Sequence, residues 1–163
     1  MFNVKKLVII LIIFLVSLLY CNLPAKADLT QNLKNNTDNL ILNIIDSPIL
    51  GRDGLFKDMA KANSQMGDKS GEYQIGVIFM SCALMQVGLM TNQELYKITK
   101  KAVHKEEVVF FEGKKKAYFD ILAKKEIAQG HPLSVTMTNA FKKGSELFKQ
   151  SPIGSKLLAG KLP

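Results

Sequence analysis

The side chains in this sequence that could do chemistry are few. There are two histidines, His104 and His131, and two cysteines, Cys21 and Cys82. A closed zinc site takes four nitrogen or sulfur ligands, and no local spacing here gathers them. The alternating acids of a calcium loop are missing as well. No metal and no cofactor are therefore expected. Cys82 and His104 could in principle form a nucleophile–base dyad, since such partners meet in space rather than in sequence. Phe79, Met80, Ala83, Leu84 and Met85 surround Cys82 in an apolar run, so a buried, inert thiol is the expectation. Gly67-Asp68-Lys69-Ser70 has the residue types of a phosphate-cradling loop, but no Gly directly precedes Lys69 and no strand leads into it, so it carries no phosphate site.

Carboxylates are the remaining catalytic option. A hydrolase acting through paired acids would draw on Glu72, Glu94, Glu106, Glu107 or Glu112. His104-Lys105-Glu106-Glu107 is the densest titratable cluster, and it reads as a solvated helix end. No tryptophan is present to form a flat sugar platform.

The basic residues point to weak electrostatic contact instead. Lys97, Lys101 and Lys105 recur at i, i+4 and i+8, one face of a helix if the helix is continuous. They are the candidate contacts to an anionic surface, with Glu94 placed to pair with Lys97. Lys114-Lys115-Lys116 and Lys142-Lys143 read as solvated surface. Arg52 is the single arginine. Arginine supplies the planar fork that reads guanine edges and phosphates, so nucleic acid is not an expected partner.

These residues sit behind a targeting pattern. Lys5 and Lys6 precede an apolar run over 7–19, and Ala25-Lys26-Ala27 offers small residues at −3 and −1. The expectation is a secretory signal, residues 1–27, cleaved between Ala27 and Asp28. The run is short of the roughly 20 apolar residues of a spanning helix. The alternative is an uncleaved membrane anchor, lengthened through Tyr20 and Cys21. Lipidation at Cys21 is disfavoured by the bulky Tyr20 before it. The chain of 163 residues carries a formal charge of +8; without residues 1–27 it has 19 basic and 14 acidic residues, a net +5. Cys82 would then be its one thiol, leaving no intramolecular disulfide.

Residues 28–163 are expected to form a single all-α domain, a small bundle of about five helices around a buried central helix. Leu33, Leu40, Ile41, Ile44 and Ile45 share a helical face, and Pro48 ends that helix. Gly51-Arg52-Asp53-Gly54 reads as a turn, with Asp53 capping a short helix to about Asn63 and a loop over 64–71. From Ile75 to Met90 only Ser81 and Gln86 are clearly polar. A helix apolar all round is buried all round, and these sixteen residues would span about 24 Å, short for a bilayer. Thr91-Asn92-Gln93-Glu94 matches a capping box for a further helix through Lys105. Residues 108–121 are ambiguous: a hairpin about Glu112-Gly113-Lys114 would make the domain α+β, but good helix formers over 114–129 favour helix. Pro132 opens the last long helix, with Met137, Ala140, Phe141, Gly144, Leu147 and Phe148 in one stripe. Gly144 on that stripe predicts a close backbone approach. A short turn at Leu157-Leu158 follows.

The function expected is that of a small exported helical interaction or binding protein of the bacterial cell envelope, periplasmic or secreted. Its partner would be a protein or another envelope component, and the mature chain would have no transmembrane span. The alternative is a small periplasmic hydrolase using paired carboxylates.

Overall fold

The computed structural model describes residues 25–66 and 71–163, with the side chains of 25–32, 35, 58, 60–66 and 71–73 left aside. Residues 1–24, which carry most of the expected signal segment and Cys21, and the Gly67–Ser70 segment lie outside the described residues. Six helices make up what is described: α1 (Ala25–Asp46), α2 (Pro48–Met66), α3 (Gly71–Thr99), α4 (Ala102–Lys124), α5 (Pro132–Gln150) and α6 (Pro152–Leu158). The all-α class is as the periodicity implies, and residues 108–121 lie inside α4 rather than in a hairpin.

The central position of α3 follows from its lack of a polar face. It packs against α1, α2, α4 and α5 and touches α6. Two apolar clusters form on its opposite sides. Ala83, Val87 and Leu95 join Leu33, Ile41 and Ile44 of α1, Leu147 and Phe148 of α5, and Leu157 of α6. Cys82, Met85 and Leu89 join Leu55 of α2, Phe111 and Leu122 of α4, and Met137 and Phe141 of α5. The six-residue stripe of α5 is buried throughout. Gly144 lies directly on the Ala83 carbonyl of α3, where a Cβ would collide with it, so the glycine lets the two helix backbones meet. Proline at the first turn starts both α5 and α6, and the His131 and Ser151 side chains accept the N-cap hydrogen bonds.

Three local expectations are corrected. Gly51–Gly54 is not a turn: α2 begins at Pro48 and runs through it. A Cβ on Gly51 would fall 2.9 Å from Ile44 Cγ1, so this glycine serves the close crossing of α1 and α2. Thr91 does not cap a new helix either. Its hydroxyl donates to the Val87 carbonyl at 2.8 Å, a bond made within a helix already running, and α3 continues to Thr99. With 29 residues α3 is about 44 Å long at 1.5 Å per residue. Gln74–Thr99 is thus long and apolar enough to cross a membrane, with half of its most apolar window buried within the bundle. The third correction is where the break falls. Lys100 takes a left-handed φ of 55°, its N–H bonds the Tyr96 carbonyl at 2.9 Å, and α4 starts after Lys101.

Candidate functional site

The break after Thr99 folds α4 back along α3 and sets the geometry of the densest polar site. Along α4 the buried residues are His104, Glu107, Phe111 and Leu122. The first three follow i, i+3 and i+7, one helical face. The apolar stripe of α4 therefore begins with two titratable residues. This overturns the reading of His104-Lys105-Glu106-Glu107 as a solvated helix end. Lys105 and Glu106 are exposed, whereas His104 and Glu107 are 4% and 3% exposed.

His104 is tied to α3. Its Nδ1 lies 2.9 Å from Oδ1 of the fully buried Asn92. Asn92 Nδ2 donates to the Gly88 carbonyl at 3.1 Å, which orients the amide so that its oxygen accepts from His104 Nδ1–H. The neutral ring is thereby assigned as the Nδ1–H tautomer. Burial holds the His104 pKa below its ordinary 6.5, and the nearby Lys101 ammonium acts in the same direction.

Glu107 is tied to α2. Arg52 Nη1 lies 3.0 Å from Glu107 Oε1, while Oε2 is buried without a hydrogen-bond partner. Burial raises the Glu107 pKa, the Arg52 guanidinium opposes that rise, and Asp53 and Glu106 add to it. The guanidinium also sits 4.3 Å above the Phe110 ring centroid. Phe110 meets Phe56 edge to face at 5.7 Å, and Lys114 Nζ lies 5.5 Å from the Phe110 centroid. Guanidinium stacking and ion pairing together fit Arg52, with its planar fork, better than they would a lysine. Residue type marks Arg52 only as the single arginine and does not mark Phe110 at all, because the partners of each come from another helix.

The other candidates disperse. Cys82 is fully buried, and burial pushes its thiol up to about 12, so it is not a thiolate at neutral pH. Asn92, the partner of His104, is ten residues further along α3, about 15 Å by helical rise, so Cys82 and His104 do not form a dyad. Among the acids, Glu94 accepts from Lys97 Nζ at 2.7 Å, Glu112 takes a long contact from Gln93, and Glu106 is exposed. Glu107 has Arg52, not a second glutamate, against it. His131 is used as the cap of α5. Among the described residues no three His, Cys, Asp or Glu gather as metal ligands.

The three lysines do not share one helix. Lys97 lies in the last turn of α3, Lys101 is the N-cap residue of α4 and Lys105 is in the first turn of α4. All three are exposed, and Lys97 is already paired with Glu94 as its spacing predicts. Gln86 sits on the flank of α3, where it accepts from Lys115 Nζ at 3.0 Å. Compared with family models, with curated proteins and with solved structures, the chain matches none.

Proposed function

We propose that this chain is a small exported binding protein of the bacterial cell envelope that works by contact rather than by catalysis. The observation that carries this reading is the division of labour between interior and surface. Among the described residues, three side chains of types capable of covalent or acid–base chemistry serve the interior: Cys82 fills a core, His104 holds Asn92 and Glu107 holds Arg52. The surface carries exposed lysines such as Lys101 and Lys105 beside exposed acids such as Glu106 and Glu112. Export is supported by Lys5-Lys6, the apolar run over 7–19 and Ala25-Lys26-Ala27. The lysines supply a weak, reversible attraction to anionic envelope material, and a protein or envelope component supplies the specific contact. The burial of α3 among four long helices favours its role as the core of the bundle rather than as a span of the mature chain. A carboxylate hydrolase is less favoured, because Glu107, among the described residues the one glutamate with a raised pKa, is ion-paired with Arg52.

The test is the intact mass of the protein recovered after expression of the full chain in a bacterium. The proposal expects a product beginning at Asp28 in the periplasm or medium. Uncleaved chain beginning at Met1 in the membrane fraction would replace export with anchoring.

A further inference from the structure

The outward side of α4 carries apolar and small residues that its own chain leaves uncovered. Val109 is 64% and Ile121 50% exposed, and Gly113 and Ala117 between them are exposed as well. The four recur at i, i+4, i+8 and i+12, which makes them one ridge of the helix surface. A Cβ on Gly113 would meet nothing within 4 Å, so the space above the helix at this point is open to another backbone.

The ridge reads large, small, small, large, the same in either direction. Ridges of residues four apart interdigitate with like ridges in the commonest class of helix packing, at a crossing angle of about −50°. Two helices so crossed are closest at the crossing point, where Gly113 and Ala117 leave room for the backbones. They diverge toward the ends, where Val109 and Ile121, about 18 Å apart at 1.5 Å per residue, have the bulk to fill the gap.

The charges beside the ridge are self-complementary in the same register. Glu106 and Lys124 are exposed and equally distant from the midpoint between Gly113 and Ala117, on opposite sides of it. Glu112 and Lys116, also exposed, lie close to that midpoint on opposite sides. In an antiparallel pair Glu106 of each copy faces Lys124 of the other, and Glu112 faces Lys116. Asp120 stands one turn from both Lys116 and Lys124 of its own helix, where each can offset it. A parallel pair would set every charge against its own copy, which is repulsive.

We propose that this face of α4 pairs two copies of the chain, helix against helix and antiparallel about a two-fold axis between Gly113 and Ala117. The interface is isologous, the commonest form of self-association. A single helix crossing covers less than the roughly 1,200–2,000 Å² of a standard interface, so the dimer is weak and single chains dominate in dilute solution. The inference rests on α4 and not on export, so either can fail alone.

The experiment is sedimentation equilibrium of the protein, recovered after expression of the full chain, up to about 1 mM. The proposal expects a reversible monomer–dimer equilibrium with a Kd between about 10 µM and 1 mM. Ala117→Gln should weaken it by about tenfold or more, because the longer side chain keeps the backbones apart. Glu106→Lys should weaken it by about fivefold or more, and Glu106→Lys combined with Lys124→Glu should restore it to within about twofold, since the pair is only reversed. All three variants are at exposed positions and should leave the circular dichroism unchanged. A single-chain mass throughout would overturn the proposal. Association that Ala117→Gln leaves unchanged, or that the single and double charge variants weaken alike, would overturn it too.

Discussion

His104 Nδ1 and Asn92 Oδ1 meet at 2.9 Å across the reversal between α3 and α4. A few residues on, Arg52 and Glu107 join α2 to the same face of α4. Together the two pairs tie three helices through buried polar groups that have opposite linkage to pH. The folded state lowers the His104 pKa from 6.5, so the unfolded chain takes up the proton first, and His104 withdraws stability as the pH falls below about 6.5. The folded state raises the Glu107 pKa from 4.5. The folded chain then takes up that proton first, so Glu107 withdraws stability as the pH rises from 4.5 through its folded pKa and restores it on acidification. Urea unfolding from pH 7 to pH 4 should therefore give opposite slopes for the stability difference between the wild type and His104→Gln and between the wild type and Glu107→Gln. Asn92→Ala should cost about 1–3 kcal/mol by leaving the imidazole N–H unpaired. Profiles parallel to that of the wild type would show that neither group is buried in solution.

The contact of Gly144 with the Ala83 carbonyl makes a second prediction. Glycine is the poorer helix former, so on propensity alone Gly144→Ala would stabilise by about 1 kcal/mol. The collision reverses the sign, and a net loss of about 1–3 kcal/mol is expected from overpacking. Gly113, in the exposed middle of α4, has nothing within 4 Å of its would-be Cβ. Gly113→Ala should stabilise by about 0.5–1 kcal/mol. Thermal unfolding of the two variants checks the contrast; a stabilising Gly144→Ala would mean that α3 and α5 do not approach so closely.

What could be read from the sequence depended on whether neighbours along the chain supplied the signal. The α5 stripe was fully legible, because Met137 to Phe148 repeat at the helical period and their burial needs only one apolar face opposite. The buried body of α3 was legible for the same reason, since its apolarity leaves no side for water. Its end was not. Thr91 and Glu94 have the types and spacing of a capping box, and nothing in Lys100-Lys101 announces a stop. Thr91 is fully buried and bonded to its own helix, which cannot be known before the helices are packed. His104 and Glu107 were misread because charged and polar types default to the surface, and the partners that allow their burial stand 12 and 55 residues away. A signal was present: stepping back along α4 from Leu122 and Phe111 at the helical period arrives at Glu107 and then at His104.

Lys100 holds φ at 55° in the C-terminal cap of α3, a conformation that costs a side-chain-bearing residue about 1–2 kcal/mol and that glycine commonly fills. Lys100→Gly should raise stability by about 0.5–1 kcal/mol, the relief of strain being partly offset by the greater freedom of the unfolded glycine chain. Chemical denaturation measures this. A loss of stability would indicate that the Lys100 side chain, 5.8 Å from the Tyr96 ring centroid, contributes more than its backbone costs.

The exposed lysines at the α3–α4 corner should give weak binding to anionic vesicles at low salt. Each Lys near such a surface is worth about 1 kcal/mol, and Glu94 offsets the charge of Lys97. Sedimentation with phosphatidylglycerol vesicles should show binding that is mostly lost near 0.15 M salt, where the Debye length is about 8 Å. Replacing Lys97, Lys101 and Lys105 together by Gln should abolish it without changing the circular dichroism, because exposed sites rarely carry stability. Salt-resistant binding would transfer the contact from charge to apolar insertion.

The α3 helix forms the interior of the bundle, and Cys82, His104 and Glu107 serve structure there and on α4. The rate at which Cys82 reacts with a thiol reagent, before and after unfolding in urea, tests this most directly. Full burial and a pKa pushed up to about 12 predict slow labelling of the native protein, at a rate set by opening of the bundle, and fast labelling once it is unfolded. Fast labelling of the native protein, or a disulfide-linked dimer, would contradict this and return Cys82 to the surface as a reactive or pairing group.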